Sequence, residues 1–175
     1  NDVVYFETPV ELANRMVSIV SSYFCNDFDG IKILEPSAGK GCLVNVINDI
    51  INPDIVYCYE INKEYWDILS SITNVSIVGD NFLLAPCIDK YDCVIATPPF
   101  INDSDILHMK KMYDVTNDGG IIVSVCSRHR GFIKSYKDFS DWLFLVGADI
   151  IELGNSVFNE FGSHFVVDLI VIKKV

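Results

Sequence analysis

The chain has 175 residues, of which 50% are hydrophobic, and its formal net charge is −11 at pH 7. This composition excludes disorder, and the length favours a single folded domain over residues 1–175. Its apolar runs are all shorter than the ~20 residues that a bilayer span needs. The first residues lack the pattern of a secretory signal, so we expect a cytoplasmic protein with no membrane partner.

The charge is distributed unevenly along the chain. Residues 1–80 contain 4 basic and 12 acidic side chains, whereas residues 81–175 contain 9 basic and 12 acidic ones. A protein that holds nucleic acid unaided usually has a basic face. Any such face is therefore expected in the second half of the chain.

Short β-branched runs alternate with segments of helical spacing, which predicts an α/β protein with a doubly wound, Rossmann-like sheet of mostly parallel strands. Thr8 is the predicted N-cap of the first helix, with Pro9 at the first helical position. The last two strands have no helix between them, which predicts an antiparallel C-terminal pair. The predicted helices span 9–24, 41–51, 62–72, 103–115 and 135–147, and the predicted strands span 31–34, 55–59, 75–78, 91–96, 120–125, 149–153 and 165–172.

The six cysteines are scattered, without a pair or a Cys/His cluster at zinc spacing. We therefore expect no metal site. Cys58, Cys93 and Cys126 each lie within a Val/Ile-rich run, where a free cysteine behaves as a small apolar residue. These three side chains are predicted to be reduced thiols in the core.

The first predicted strand leads directly into Glu35-Pro-Ser-Ala-Gly-Lys-Gly41, and a helix follows. In an open α/β sheet, ligands bind at the carboxyl ends of the strands where the winding reverses. Val44 stands where the dinucleotide fingerprint needs Gly or Ala, and the spacing of a phosphate P-loop is also missing. Because Glu35 is acidic, the loop suits a cationic ligand such as a sulfonium or an ammonium.

Two further strands end in carboxylates. Glu60 lies 19 residues beyond Gly41, an offset at which a carboxylate accepts hydrogen bonds from ribose hydroxyls. The third strand ends in Asp80, and Phe82 follows as an aromatic able to cover a purine. Three acidic strand ends along one edge predict a nucleoside site, although helix caps and turns also favour acids at such positions.

The fourth strand ends in Thr97-Pro-Pro-Phe100, where the two prolines fix an extended loop. The motifs Glu7-Thr-Pro9, Leu34 to Gly41, Tyr59 to Asn62, Gly79 to Phe82 and 97–100 follow in this order. Together they resemble the S-adenosylmethionine-dependent amino-methyltransferases of the DNA adenine-N6 type, in the small phage- and plasmid-like form without a target-recognition domain. The resemblance covers nearly the whole chain and implies a class I methyltransferase sheet.

By this resemblance, S-adenosylmethionine is the cofactor. The implied contacts are Thr8 and Pro9 near the methionine carboxylate; Glu35, Ser37, Ala38, Gly39 and Gly41 around the methionine moiety; Glu60 on the ribose hydroxyls; and Ile61, Asp80, Asn81 and Phe82 at the adenine.

The resemblance assigns catalysis to Thr97, Pro98, Pro99 and Phe100. The lone pair of an exocyclic amine is delocalised into the ring, so two acceptors, the first side chain and the carbonyl of Pro98, would bind its hydrogens. Phe100 would stack on the extruded base. The family has Asn, Asp or Ser at the first position, whereas Thr97 offers a hydroxyl that accepts a hydrogen bond but is shorter than Asn and carries a methyl group.

The implied reaction is methyl transfer to the N6 amine of adenine in DNA. Methylation of an RNA base or of a protein glutamine remains an alternative, as does an inactive cofactor-binding subunit, because Thr97 departs from the family pattern. DNA is the expected partner before RNA. A basic partner or a specificity subunit is a further candidate partner, because the chain is acidic and short.

Two segments are candidates for contact with the substrate. Arg128, His129, Arg130, Lys134 and Lys137 form a basic run after the fifth strand, which predicts phosphate contact or a solvated helix start. Phe158 and Phe161 lie in a loop that resembles the FxxxG[ST] segment beside the target pocket of small phage relatives; the alternative is a polar connection with two core aromatics. His108 and His164 have no partner pattern and are predicted to be surface or packing residues.

Overall fold

The computed structural model describes residues 7–128, 134–154 and 166–175. Within them, five α-helices and seven strands alternate along most of the chain. The helices are α1 Val10–Tyr23, α2 Cys42–Ile50, α3 Trp66–Ser70, α4 Ser104–Val115 and α5 Lys134–Leu145. The strands are β1 Ile33–Glu35, β2 Val56–Tyr59, β3 Val75–Gly79, β4 Tyr91–Ala96, β5 Thr116–Ser127, β6 Asp149–Glu152 and β7 Val167–Lys173.

The seven strands form one sheet in the order β3-β2-β1-β4-β5-β7-β6. The pairs among β1 to β5 are all parallel, and β7 is antiparallel to both β5 and β6. The predicted mostly parallel sheet with an antiparallel C-terminal pair is confirmed. The chain winds outward from β1 to β3 and then returns to place β4 beside β1. The winding therefore reverses between β1 and β4, the point at which open α/β sheets bind ligands.

The core lies on both faces of the sheet. Cys93 and Ile95 of β4 point into the first core cluster, which contains apolar residues of α1 and α2 and Leu69 of α3. Val94 and Ala96 point into the second core cluster, which contains apolar residues of α4 and α5. Because Cys93 to Ala96 are buried on both sides of the sheet, this part of β4 is a continuous apolar run.

The first helix forms as predicted, but Thr8 is not its N-cap. Pro9 occupies the cap position with φ −55° and ψ 137°, and no side chain among residues 7–128 caps the helix. The Pro9 carbonyl accepts the first helical hydrogen bond from the amide of Ala13 at 2.9 Å. Thr8 is displaced from the cap because the extended Pro9 separates it from the helix, and its side chain is buried.

Several element boundaries differ from the predicted ones. β1 begins two residues late because the amide of Lys32 donates to the Asp92 carboxylate, at 2.9 Å, in place of a strand partner. The predicted helix 62–72 is a 3-10 turn, Lys63–Tyr65, followed by the short α3. The helix predicted from residue 103 likewise starts after a 3-10 turn, Ile101–Asp103.

Cys58, Cys93 and Cys126 are buried, as predicted. Burial raises the pKa of each of these thiols. Within the three described ranges, no helix combines the length and the apolarity needed to cross a bilayer.

Candidate active site at the carboxyl ends of β1 and β4

Three backbone amides in the loop that follows β1, residues 36–41, donate hydrogen bonds that fix its conformation. The amide of Ser37 donates to Glu35 Oε1 at 3.0 Å, and the amide of Ala38 donates to the carbonyl of Tyr59 at 3.0 Å. The amide of Gly39 donates to Glu60 Oε2 at 2.7 Å. The loop is therefore held by its own acidic residue and by the end of β2.

Glu60 is only 6% exposed. Its second oxygen, Oε1, accepts from the amide of Asn62 at 2.7 Å. Each carboxylate oxygen has two lone pairs, so one acceptor position remains on each oxygen after these two bonds. Glu60 therefore shapes the loop and still offers acceptors to hydroxyl groups.

Gly41 is the last residue of this loop and the N-cap of α2. Its φ is +89°, a value that favours glycine. A Cβ atom here would lie 2.3 Å from Ile72 Cδ1 and 3.2 Å from Leu69 Cδ2. The backbone conformation therefore favours glycine, and a side chain here would also require the Ile72 side chain to shift.

A small cavity lies between the loop and the end of β4, lined in part by Thr8. Three buried oxygens at this cavity, Glu35 Oε2, Ser37 Oγ and Thr97 Oγ1, have no hydrogen-bond partner within the described residues. Glu35 is 1% exposed. Burial raises the pKa of its carboxyl well above the ordinary value, and the nearby Glu60 raises it further, against the lowering effect of the Ser37 amide. Buried polar atoms are normally paired, so these oxygens indicate a polar ligand site.

A larger cavity of about 560 Å³ adjoins this loop. Ile61 is 55% exposed at its wall. Asp80 is exposed there, with Lys63 Nζ 3.7 Å from its carboxylate. The Phe82 side chain is 3% exposed, belongs to the second core cluster and forms part of the cavity wall. Residues that line the cavity include Ser37, Glu60, Ile61, Asp80, Asn81, Phe82 and Pro99.

The segment 97–100 separates the two cavities. Thr97 lines the small one and Pro99 lines the large one. Phe100 is only 4% exposed and belongs to the first core cluster. Its ring thus anchors the segment to the core, and stacking on a base would require the ring to leave that position.

The chain turns sharply after Phe100. Asn102 and Asp103 both have left-handed backbone conformations, with φ values of 55° and 56°. Asn and Asp adopt this region more readily than other non-glycine residues. The turn places Asn102 and Ser104 against the large cavity at the start of α4.

Arg128 is not placed as the sequence analysis expected. Its Nε donates to both carboxylate oxygens of Asp168, at 3.1 and 3.0 Å, and Nη2 also contacts this carboxylate. Nη1 lies 3.5 Å from the carboxylate of Glu152. The guanidinium therefore joins the end of β5 to β6 and β7. Arg130, Phe158 and Phe161 lie outside the described residues.

His108, predicted to be a surface or packing residue, is 7% exposed and packs beside Phe82, and its place at the cavity was not predicted. Its side chain lines the large cavity, together with Ser104. The signal was present in the sequence, since Ser104 and His108 are four residues apart on a helix that follows the 97–100 segment. Residues spaced in this way lie on one helix face.

No protein-family model and no curated protein matches the chain. Among solved structures, one similar fold is that of a Pyrococcus horikoshii protein assigned as an RNA methyltransferase, with TM-score 0.67 and 18% identity over 99% of this chain and 86% of that one. A Listeria monocytogenes protein assigned as a class I S-adenosylmethionine-dependent methyltransferase has TM-score 0.66 and 16% identity over 96% of this chain and 61% of that one.

A third similar structure is the plantazolicin methyltransferase BpumL in complex with SAH, with TM-score 0.66 and 11% identity over 97% of this chain and 86% of that one. The strand order, with its reversal beside β1, agrees with these likenesses. Together they establish that this chain has the Rossmann-like fold of the class I methyltransferases.

Proposed function

We propose that the chain binds S-adenosylmethionine and transfers its methyl group to an exocyclic amine of a nucleic-acid base. The observation that carries this proposal is a set of three buried oxygens, on Glu35, Ser37 and Thr97, beside the point where the sheet reverses; none has a hydrogen-bond partner in the part of the chain that the structure describes. They belong to residues at or just beyond the ends of β1 and β4.

The residues present fit this cofactor. A buried carboxyl such as Glu35 gains most from a cationic partner, and the methionine moiety carries an ammonium and a sulfonium. The lone pairs left on Glu60 suit ribose hydroxyls. The exposed Ile61 offers an apolar surface to a purine, with Asp80 as an acceptor at the same cavity. The volume of that cavity falls within the range of roughly 300–1,000 Å³ that is typical of small-molecule sites.

In the proposed reaction, the cofactor would supply an electrophilic methyl group: the amine nitrogen would form a bond to this carbon as the bond from carbon to the sulfonium sulfur breaks, leaving S-adenosylhomocysteine. The protein positions the amine. The Thr97 hydroxyl and the Pro98 carbonyl would accept the two N–H groups of the amine, which directs the nitrogen lone pair out of the base plane. After transfer the nitrogen is strongly acidic and loses a proton to water. The site therefore needs no strong base.

The place of Phe100 in the core changes its proposed role. A ring that is 4% exposed holds the backbone of Pro98 and Pro99 against the sheet. We therefore assign Phe100 first to the rigid presentation of this segment. Stacking on a base would be a second role, open only after the ring moves.

The acceptor is proposed as a base of DNA or RNA. The motif order favours adenine N6 in DNA, whereas the similar structure from Pyrococcus horikoshii is of a protein assigned as an RNA methyltransferase. The net charge of −11 argues for weak, salt-sensitive binding or for a basic partner subunit. Because Asp168 engages Arg128, we place phosphate contact on Arg130 and Lys137.

The test is transfer of labelled methyl groups from S-adenosylmethionine to duplex DNA, single-stranded RNA and a glutamine-containing protein in separate reactions. We expect label in a nucleic acid, and labelling at least about tenfold slower with a Thr97→Val variant, which keeps the shape of the side chain but lacks the hydroxyl. Label in the protein alone would overturn the nucleic-acid assignment. Cofactor binding without transfer to any acceptor would favour an inactive cofactor-binding subunit.

The phosphate contact has its own test. Arg130→Glu is expected to weaken nucleic-acid binding while leaving cofactor affinity and melting temperature unchanged. Arg128→Glu is expected to lower the melting temperature, because it places a third carboxylate beside Asp168 and Glu152. Unaltered nucleic-acid binding in both Arg130→Glu and Lys137→Glu would remove these residues from the proposed interface.

A further inference from the structure

His108 lies on α4 with its ring against the large cavity. The residue is only 7% exposed. Its ring packs beside Phe82, with ring centroids 5.8 Å apart and ring planes inclined by 35°. Asp80 and Ile61 line the same cavity. The proposed cofactor interactions and the proposed reaction do not use this histidine.

The hydrogen bonds of His108 fix its tautomer. Nδ1 lies 2.7 Å from the backbone carbonyl of Ser104 and 3.2 Å from the Ser104 hydroxyl. A carbonyl oxygen only accepts hydrogen bonds, so Nδ1 carries a proton. In the neutral ring the other nitrogen, Nε2, is then a hydrogen-bond acceptor.

The surroundings of the ring keep it neutral. Burial lowers the pKa of His108 below its ordinary value, and Lys111 lowers it further, whereas the Ser104 carbonyl and Asp105 act in the opposite direction. Lys111 is held in place by the carbonyls of Leu83 and Ala85. At neutral pH, Nε2 therefore has a lone pair to offer.

Nε2 has no hydrogen-bond partner within residues 7–128, 134–154 and 166–175. Since Nε2 does not belong to the side-chain atoms that are both buried and unpartnered, this atom is accessible. Because the ring borders the cavity, Nε2 is the ring atom left to meet a ligand. A ligand that carries an N–H group would satisfy it.

We propose that Nε2 of His108 accepts a hydrogen bond from the exocyclic amino group of the cofactor's adenine, and that His108 thereby selects adenine over a 6-oxo purine. This inference rests on the proposed function. Asp80 and His108 give the cavity two acceptors, and an exocyclic amine has two N–H groups. A 6-oxo purine presents a carbonyl oxygen at this position, which would face both acceptors without a hydrogen.

The test compares the binding of S-adenosylhomocysteine and S-inosylhomocysteine by isothermal titration calorimetry. The proteins are the wild type, His108→Phe and His108→Gln. Phe keeps the ring and removes the acceptor, whereas the amide oxygen of Gln reaches the region of Nε2 and keeps an acceptor. Melting temperatures measured alongside show whether each variant is folded.

We expect the wild type to prefer the adenine compound. In His108→Phe this preference falls roughly tenfold, equal to about 1.4 kcal/mol, because affinity for the adenine compound drops while affinity for the inosine compound changes little. His108→Gln restores most of the preference. Asp80 is present in all three proteins, so some preference remains in His108→Phe.

Nuclear magnetic resonance of the histidine side chains provides a second readout. The wild type is expected to show the Nδ1–H tautomer for His108, with an Nε2 resonance that shifts when S-adenosylhomocysteine is added. An Nε2–H tautomer, or an unchanged preference in a folded His108→Phe variant, would overturn this inference alone. Failure of the wild type to bind S-adenosylhomocysteine would overturn the proposed function and this inference with it.

Discussion

The carboxylate of Glu60 accepts a hydrogen bond from the backbone amide of Gly39 at 2.7 Å. This bond joins the loop after β1 to the end of β2. The same carboxylate accepts from the amide of Asn62 at 2.7 Å. One side chain thus fixes the shape of two loops and, in our proposal, also holds the ribose, so cofactor affinity and loop order are coupled.

Replacing Glu60 by Gln tests this coupling. The amide has one acceptor oxygen, so its NH2 group would face one of the two backbone N–H groups that the carboxylate now accepts. We expect the dissociation constant for S-adenosylhomocysteine to rise at least about tenfold, in line with a charge-assisted hydrogen bond, and the melting temperature to fall. The matched control is Glu64→Gln, an exposed position one turn away. Equal affinities in the two variants would contradict the dual role of Glu60.

The buried Glu35 makes stability depend on pH. Burial raises the pKa of its carboxyl well above the ordinary value of 4.5, so the folded state binds this proton more tightly than the unfolded state. Stability should therefore fall as pH rises from about 4.5 towards the raised pKa, because the unfolded chain loses the proton first. A thermal unfolding series across this range measures the effect.

Glu35→Gln removes this ionisation. We expect the ligand-free variant to melt higher than the wild type at pH 8, and the gap to shrink at pH 4.5; in a domain of this size about 1 kcal/mol corresponds to ~2–4 °C. The variant should also lose cofactor affinity, since it no longer offers a negative charge. A variant that is less stable than the wild type at pH 8 would show that the charged carboxylate stabilises the fold.

The hydroxyl of Thr97 is expected to act in transfer rather than in folding. Its Oγ1 is buried and unpartnered within the described residues, so Thr97→Val removes an acceptor without breaking a hydrogen bond there. We expect the transfer rate to fall at least about tenfold, as for loss of a transition-state hydrogen bond, with little change in melting temperature. Thr97→Ser should retain activity. Equal transfer rates in Val and wild-type proteins would remove Thr97 from the mechanism.

Alanine substitutions at two glycines distinguish the free-energy cost of backbone strain from the cost of overpacking. Gly30 has φ +71° and open space around its Cα, whereas Gly41 has φ +89° and the side chain of Ile72 close by. We expect Gly30→Ala to cost about 1–2 kcal/mol, from the left-handed backbone alone. Gly41→Ala should cost about 1–3 kcal/mol more, from overpacking, and should also weaken cofactor binding. Urea unfolding of both variants measures the difference, and equal costs would show that Ile72 moves aside freely.

Much of the fold follows from local patterns. The apolar runs predicted the central strands because β4 and β5 are buried on both faces. The N-terminal end of the first helix could not be predicted, because Thr8 and Pro9 are both favoured near helix starts and the extended Pro9 decides between them. The start of β1 depends on the Asp92 carboxylate, which lies 60 residues further along the chain from Lys32.

The candidate-site residues that could be predicted from the sequence are those at the carboxyl ends of strands. Glu35, Glu60 and Thr97 lie together at the reversal of the sheet because parallel strands bring their carboxyl ends to one edge. The ion pair of Arg128 could not be predicted because its partner Asp168 is separated from it by 40 residues. The place of His108 at the cavity was not predicted, because its spacing from Ser104 puts both on one helix face but does not show that this face meets the cavity.

The most direct test of the account is isothermal titration of the wild-type chain with S-adenosylmethionine, beside Glu35→Gln and the Glu64→Gln control. We expect saturable binding with one site per chain, weakened at least about tenfold in Glu35→Gln and unchanged in Glu64→Gln. No binding to the folded wild type, or equal binding by all three proteins, would contradict the assignment of this site.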